Sequence, residues 1–545
     1  MRTNEKIMSR SMRGVAAAAV FAGFAESAAA QWPGDAGTNL TIGEAANEQN
    51  QAKIRPTSDG GCYVSWYSNQ TSGYDVWLQR LDKNGVPEWA AGGILIADLS
   101  HTSTQDYGLA VDADDYAILA YRDDRVGSSQ IGASRVAPDG TLVWGAGGVI
   151  VSATANGNSP RAAALDTGEY VIGWTTASSP STIALQKLDM NGAPQWTPGG
   201  VIISDPPNPT SRSILLSDLQ PSDNGSVIAL WMRCTGSNCV TSNRHLSTRK
   251  YDSAGAPLWP GIVALFDGTS TIQNGYFPTF VSDGAGGAVY VWYESGGTRR
   301  SLYQHIDAAG VELHAHTGVA CSLQVSGRLS LSPSFAYDPL TDECFVFWTE
   351  ANSGQSQWGV YGQRLVGGVR QWADAGREFV ALSTNQNAFV RALSSAGGAM
   401  VFYFDRSGSA KVVGFSAGAA GAMRWSPSVI DVCSVLSGKA RLDACVSAQT
   451  GEAMLAWGDA RVDARGVYGQ NVRACDGRLG ALYLGDLDCD GTVNNLDIDA
   501  FVQALVDPAD YAVDHPGCDI ERADVNVDCS VDNFDIDPFV GLLIG

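Results

Sequence analysis

Basic side chains are in the minority in this 545-residue chain: 35 lysines and arginines stand against 57 aspartates and glutamates, a formal charge of −22. A surface so acidic repels phosphate backbones, so nucleic acid is not expected as a partner, whereas neutral glycans, proteins and calcium-rich surroundings are compatible with it. Histidine is scarce, six in all and scattered, and no pair of Cys-x-x-Cys units occurs, which argues against a zinc site. Beyond residue 30 no segment approaches eighteen apolar residues, so no membrane-spanning helix is expected there. Helical periodicity is nearly absent before residue 495.

What is present begins with an export signal. Arg2, Lys6, Arg10 and Arg13 precede the apolar run from Gly14 to Ala25, which closes on Ala28-Ala29-Ala30. The run is too short to span a bilayer and small residues occupy both positions a signal peptidase reads, so cleavage is expected after Ala30. Removing residues 1–30 takes away four basic and two acidic side chains and moves the formal charge to −24. The expected destination is secreted or at the cell surface. All eleven cysteines follow residue 30, where export favours disulfides; close spacing points to Cys234 with Cys239, Cys433 with Cys445 and, less directly, Cys321 with Cys344, and the odd count leaves at least one thiol.

The middle of the chain repeats with a period near 55. A strand ending in an aromatic recurs at Trp66, Tyr121, Trp174, Trp231, Trp292, Trp348, Tyr403 and Trp457. A turn of the form Asp-x-x-Gly-x-x-x-Trp follows in full at Asp82 to Trp89, Asp189 to Trp196 and Asp252 to Trp259. Degenerate copies stand at Gly140/Trp144, Gly368/Trp372 and Gly421/Trp425, and Gly310 meets His314 in place of tryptophan. Gly-Gly before an apolar strand closes several units. About four short strands per unit, rich in Val, Ile, Tyr and Trp and separated by Asp, Asn and Gly turns, is the pattern of propeller blades.

Eight units can be counted, with seven as the alternative. The eighth, around Trp457, lacks its last strand, and Trp32, Gly34, Gly37 and Leu40-Thr41-Ile42 resemble the missing piece, so the N-terminal segment is expected to close the ring. The repeated tryptophans read as packing between blades. Asp459/Arg461, Asp123/Arg125 and Asp405/Arg406 read as salt-bridged turns, the other reading being a charged ring at one mouth of the channel. Tyr303/Gln304, Tyr361/Gln363 and Tyr468/Gln470 mark equivalent strands. The stretch 31–484 resembles secreted bacterial propellers with a W-x-D-x-R and Y-x-Q-R-L type of repeat. Residues 137–144 only approach a sialidase Asp-box and have the wrong spacing.

At the C-terminus, GDLDCDGTVNNLD places Asp486, Asp488, Asp490, Thr492, Asn494 and Asp497 at positions 1, 3, 5, 7, 9 and 12 of a twelve-residue loop, with Gly491 at position 6. Calcium takes six to eight oxygens, and alternate carboxylates with one main-chain carbonyl at Thr492 supply them. Leu496, Ile498, Phe501, Val502 and Leu505 follow at helical spacing. Thirty-eight residues on, ADVNVDCSVDNFD sets Asp524, Asn526, Asp528, Ser530, Asp532 and Asp535 at the same positions, and Phe534, Ile536, Phe539, Val540 and Leu543 repeat the apolar face. Cys529 replaces the position-6 glycine, so the second site is expected to be the weaker.

Two such loop-helix units, residues 485–545, resemble the type I dockerin family. The resemblance implies two calcium ions and a cohesin-like protein partner, engaged through positions 10 and 11: Asn495 and Leu496, then Asn533 and Phe534. These residues could equally pack the two helices together. Cys489 and Cys518 are additions to the family plan and a candidate disulfide within the module.

The expected fold is therefore mainly β: a propeller of about eight four-stranded blades at 31–484 and a small α-helical dockerin or EF-hand-like module at 485–545. The expected function is a secreted calcium-binding protein, not an enzyme, whose tail docks to a protein and whose propeller presents a ligand or partner surface. The rival class is a glycoside hydrolase or polysaccharide lyase, with a polysaccharide as ligand; no catalytic pair of carboxylates can be picked from the sequence. A third is a surface-layer component using calcium for folding alone.

Overall fold

Strands such as Cys62–Ser68, Ala288–Tyr293 and Ala453–Asp459 are buried along their whole length, which is why they read as unbroken apolar and aromatic runs and not as alternating ones. Each is the second strand of a four-stranded antiparallel sheet, and eight sheets, seven of four strands and one of five, make up the propeller. The computed structural model describes residues 31–544 apart from 71–72, 104–105, 126, 128, 153–156, 205–211, 237, 297–298 and 324; the expected signal peptide lies outside the described residues.

Seven blades are contiguous, spanning 49–97, 108–150, 158–203, 214–266, 280–320, 328–383 and 386–437. In blade six, Val369–Arg370 and Arg377–Ser383 share the outermost position. The eighth blade has three strands from 439–472, and its outermost strand is Leu40–Gly43, paired antiparallel with Gly466–Val472. The ring is thus eight blades closed by the N-terminal strand, as the orphaned Trp-Gly-strand piece implied.

The repeated turn holds the blades together. In Asp82, Asp189, Asp252 and Asp307 one carboxylate oxygen accepts the amides two and four residues on, at 2.8–2.9 Å. This Asx-type turn brings the following glycine to positive φ, +82° at Gly85 and +83° at Gly255. Each glycine lies flat against the tryptophan of the preceding blade: Gly140 on Trp89, Gly192 on Trp144, Gly255 on Trp196, Gly310 on Trp259, Gly421 on Trp372 and Gly477 on Trp425. His314 takes the tryptophan's place against Gly368, and Trp32 supplies the missing one against Gly85. The indole N–H donates to a carbonyl of the neighbouring turn, as from Trp89 to Pro138 and Trp196 to Ser253, both at 3.0 Å. Motif and partner are the same sequence one blade apart. The buried glutamines brace the same turn: Gln363 bonds the Ala373 carbonyl and the Trp372 amide, and Gln470 reaches the Pro33 carbonyl.

The first strands of neighbouring blades lie against one another around the axis and form the channel wall. Six of them are bulged at the same level, between Asn50/Lys53, Asn158/Arg161, Leu216/Asp218, Leu331/Ser334, Ala388/Arg391 and Ala440/Asp443. Bulges re-aim side chains, and here the residue after each slip is charged or polar.

Two sequence-based disulfides are corrected. Cys234–Cys239 is bonded, but Cys433 and Cys445 are free and buried. Cys433 lies on the outermost strand of blade seven and Cys445 on the innermost strand of blade eight, in different sheets. Cys321 and Cys344 share one buried cluster but are also unbonded; burial pushes both thiols up and keeps them protonated. No helix among the described residues is long and apolar enough to cross a membrane.

Candidate metal-binding and docking module

Residues 485–544 fold as two loop-helix units. The helices are α1 (Asp497–Val506), α2 (Pro508–Asp514) and α3 (Ile536–Ile544). Their apolar faces meet in a small core of Leu487, Ala500, Phe501, Ala504, Tyr511, Ala523 and Phe539. Phe501 and Phe539, equivalent residues of the two repeats, stack with ring centroids 3.9 Å apart, and the Tyr511 hydroxyl donates to the Leu487 carbonyl at 2.9 Å.

The two loops share one hydrogen-bond scheme. At position 12, Asp497 accepts the amides of Leu487 (2.7 Å), Asp488 (3.1 Å) and Asn494 (2.8 Å), and Asp535 accepts those of Asn526 (3.0 Å) and Asp532 (2.9 Å). At position 3, Asp488 and Asn526 accept the amides of Asp490 and Asp528; at position 5, Asp490 and Asp528 accept those of Thr492 and Ser530; at position 9, Asn494 and Asp532 accept those of Leu496 and Phe534. Positions 4 and 6 are left-handed in both: Cys489 and Val527 at φ +60° and +59°, Gly491 and Cys529 at +91° and +72°.

In loop one the carboxylates of Asp486, Asp488 and Asp497 offer oxygens within 4.8 Å of one another. Three hard donors converging on a loop that turns at a glycine fit a divalent cation of the calcium type. One oxygen of Asp486 is held by Arg522 at 2.5 Å. Loop two brings Asp524 beside Cys475 and Cys529, but those sulfurs are joined in a disulfide, so the carboxylate is the hard donor in that cluster. Burial, with Asp535 and Asp528 adding their charge, pushes Asp524 up to about 6.

Cys489–Cys518 is bonded, as the candidate pairing had it. The Cys475–Cys529 bond was missed: it runs from the end of blade eight to position 6 of loop two and fastens the module to the propeller. Its signal was in the sequence, since a cysteine where the loop wants glycine is unexplained until a partner is found. Arg473 and Arg478, just beyond the last strand of blade eight, both donate to Asp519, the latter at 2.9 Å.

Leu496 and Phe534, at position 11 of each loop, do not pack the helices together. They are 64% and 69% exposed, and Ile498, Val502, Ile536 and Val540 are exposed on the same helices. Of the three charge pairs expected to be salt-bridged turns, Asp459/Arg461 and Asp123/Arg125 are ion-paired, and no ion pair joins Asp405 to Arg406 among the described residues. Asp459 is buried and bonded to Ser437, Lys439, Trp457 and Arg461. Asp123 holds Arg125 at 2.6 Å, while Arg406 lies over Phe389 and Phe404.

No protein-family model matches the chain, and no curated protein matches it. Among solved structures the chain is similar to a polysaccharide lyase, an ulvan lyase bound to -[GlcA(1-4)Rha3S]- (10% identity, TM-score 0.41, 83% of this chain and 97% of that one). It is also similar to the α-L-arabinanase of Penicillium chrysogenum (10%, 0.35, 80% and 98%) and to the BP39L lectin of Burkholderia pseudomallei (12%, 0.42, 69% and 98%).

Proposed function

We propose that this is an exported propeller protein whose C-terminal module, dockerin-like, is ordered by calcium and docks the propeller onto a cohesin-like protein. The observation that carries the reading is the pair Leu496 and Phe534: equivalent apolar side chains, each set one residue after a loop's last turn begins, both turned to solvent while their neighbours Phe501 and Phe539 fill the core. Exposed apolar residues on a small rigid platform are the anchors of protein interfaces.

Asp486, Asp488, Asp490, Thr492, Asn494 and Asp497 would hold one calcium ion, and Asp524, Asn526, Asp528, Ser530, Asp532 and Asp535 a second, weaker one. Calcium supplies the positive charge that lets these carboxylates share one loop. The chain's own part is to set the position-12 aspartate at the head of each helical segment, so that loop order fixes the placement of Leu496 and Phe534. Three disulfides fit an oxidising, extracellular setting.

Glycoside hydrolysis needs a pair of carboxyl groups free to act. Three carboxylates of the channel are engaged: Asp106 by Lys53 and Arg161, Asp443 by Arg55 and the Ile54 amide, Asp218 by the Leu219 amide and Gln220. The binding reading is therefore preferred to a glycoside hydrolase.

The test uses the mature chain as bait against exported proteins of the source, with calcium and with chelator, beside Leu496→Asp and Phe534→Asp variants. A partner retained only with calcium and lost in the variants is the expected result. Retention that ignores both calcium and the variants would overturn the docking reading.

A further inference from the structure

The polar side chains that the inner-strand bulges turn into the channel fall into two groups of different balance. On one side Asp106 of blade two sits between Lys53 of blade one at 3.0 Å and Arg161 of blade three at 2.6 Å, and Arg161 also donates to the Ser217 carbonyl of blade four. This group staples four consecutive blades, and its carboxylate is doubly satisfied.

The other group, at the seam where the ring closes, is not balanced. Asp443 of blade eight accepts the Ile54 amide and Arg55 of blade one, each at 3.1 Å. Arg391 of blade seven is 4.0 Å from the same carboxylate and donates to the Val390 carbonyl at 3.1 Å. Arg441, exposed and in the left-handed region at φ +56°, adds its charge to the field on Arg391. Two guanidinium groups thus share one carboxylate, with Arg441 near enough to add its charge. Water reaches them: the side chains of Arg55 and Arg391 are 39% and 38% exposed. Yet burial is the leading influence on Arg391 and, with Arg55 and Arg441 beside it, pulls its guanidinium down. Positive charge in excess of its one carboxylate, within a chain of net charge −22, is the inverse of the protein's general surface.

We propose that Arg55 and Arg391, which share Asp443, form with the nearby Arg441 an oxyanion-binding site in the central channel that takes a carboxylate or a sulfate group. The planar fork of a guanidinium matches either oxyanion in a two-bond contact, and low-dielectric walls strengthen the attraction. Tyr276, in the segment between blades four and five, packs its ring against Tyr293 at 4.5 Å, and burial raises it and keeps it protonated. The bulge that sets Arg441 left-handed recurs in blades whose delivered residue is lysine, arginine or serine; the backbone device is general, and the arginine cluster is particular to this seam.

The site is independent of the tail, and the experiment separates the two. The mature protein is titrated at low ionic strength, without calcium, with sodium sulfate, sodium acetate and, as the uncharged isostere, acetamide, and followed by melting temperature against chloride of matched ionic strength. Sulfate, acetate or both are expected to raise the melting temperature saturably while acetamide does not, and Arg391→Gln is expected to raise the half-saturating concentration about tenfold. Arg441→Gln, an exposed side chain whose loss leaves the fold intact, is expected to weaken binding in the same direction. A response to acetate alone assigns a carboxylate and to sulfate alone a sulfate ester. No saturable response to either anion, or an unchanged response in both variants, overturns the proposal.

Discussion

Replacing Gly85 with alanine tests the ring closure, because this glycine is where the N-terminal segment meets blade one. A Cβ built there would stand 2.6 Å from Trp32 Cδ2 and 2.8 Å from the Trp32 main-chain nitrogen, and Trp32 is itself bonded through that nitrogen to the Asn84 carbonyl at 2.8 Å. Side-chain rotation cannot relieve a clash with backbone. Two other glycines separate the contributions. Gly92 has φ +82° and nothing within 4 Å, so alanine there meets only the left-handed backbone, about 1–2 kcal/mol. Gly140 has φ +86° and would place its Cβ 3.2 Å from Trp89, a contact the indole can yield to. Gly85→Ala adds to the backbone term an overpacking of about 1–3 kcal/mol. For a ring of some 450 residues melting as one unit, the unfolding entropy makes about 1 kcal/mol correspond to one degree. Calorimetry should therefore show drops of about 1–2 °C for Gly92→Ala, slightly more for Gly140→Ala and about 2–5 °C for Gly85→Ala. Equal shifts at Gly85 and Gly92 would refute the contact with Trp32, and with it closure of the eighth blade by the N-terminal strand.

Glu452 is 3% exposed, with one carboxylate oxygen unpartnered, and burial pushes it up to about 7. A carboxyl raised in the folded state is fully tolerated below its unfolded value, and its contribution to stability is lost as pH rises from about 4.5 to 7. Glu452→Gln should accordingly raise the melting temperature at pH 8, by the equivalent of about 1–3 kcal/mol, and leave it unchanged near pH 4; a variant no more stable at pH 8 contradicts the assignment. Converting Cys475 and Cys529 to serine opens a closure of 54 residues, worth about 4 kcal/mol in the chain-entropy account, and should expose the segment between blade eight and α1 to limited proteolysis while the propeller's own melt persists. Phe539→Ala, which empties half of the stacked pair, should destabilise the module by about 3–5 kcal/mol, whereas Leu496→Ala should leave its stability within about 0.5 kcal/mol; near-ultraviolet circular dichroism of the two variants distinguishes them.

Much of the propeller could be read along the chain because its order is local and repeated. The Asp-x-x-Gly-x-x-x-Trp turn builds both halves of the blade interface within eight residues, so the same eight letters specify the glycine seat and the tryptophan that fills the next one. Trp32 betrayed the ring closure for the same reason: a half-motif at one end answered a half-motif at Trp457 to Ala481. The two loops of the tail were legible through the fixed spacing of their oxygen-bearing side chains, and the helix period after each gave Phe501 and Phe539 to the core. That period could not decide which way Leu496 and Phe534 face, since position 11 stands at the edge of the apolar stripe and only the packed module shows it turned outward.

Contacts between residues distant in sequence were beyond reach. Cys433 and Cys445 are near in sequence, yet the crossover from the outer edge of one blade to the inner edge of the next carries them apart. Cys475 and Cys529 are far in sequence and are joined because the module folds back on blade eight. The arginines at the seam come from strands as far apart as Arg55 and Arg441, and nothing local marks either. Sequence determined the repeat, its latch and the spacing of the tail's oxygen-bearing loop residues, since each is written within a dozen neighbouring residues; tertiary structure alone decided the disulfide anchor and the charge of the channel, because ring closure sets which blades become neighbours.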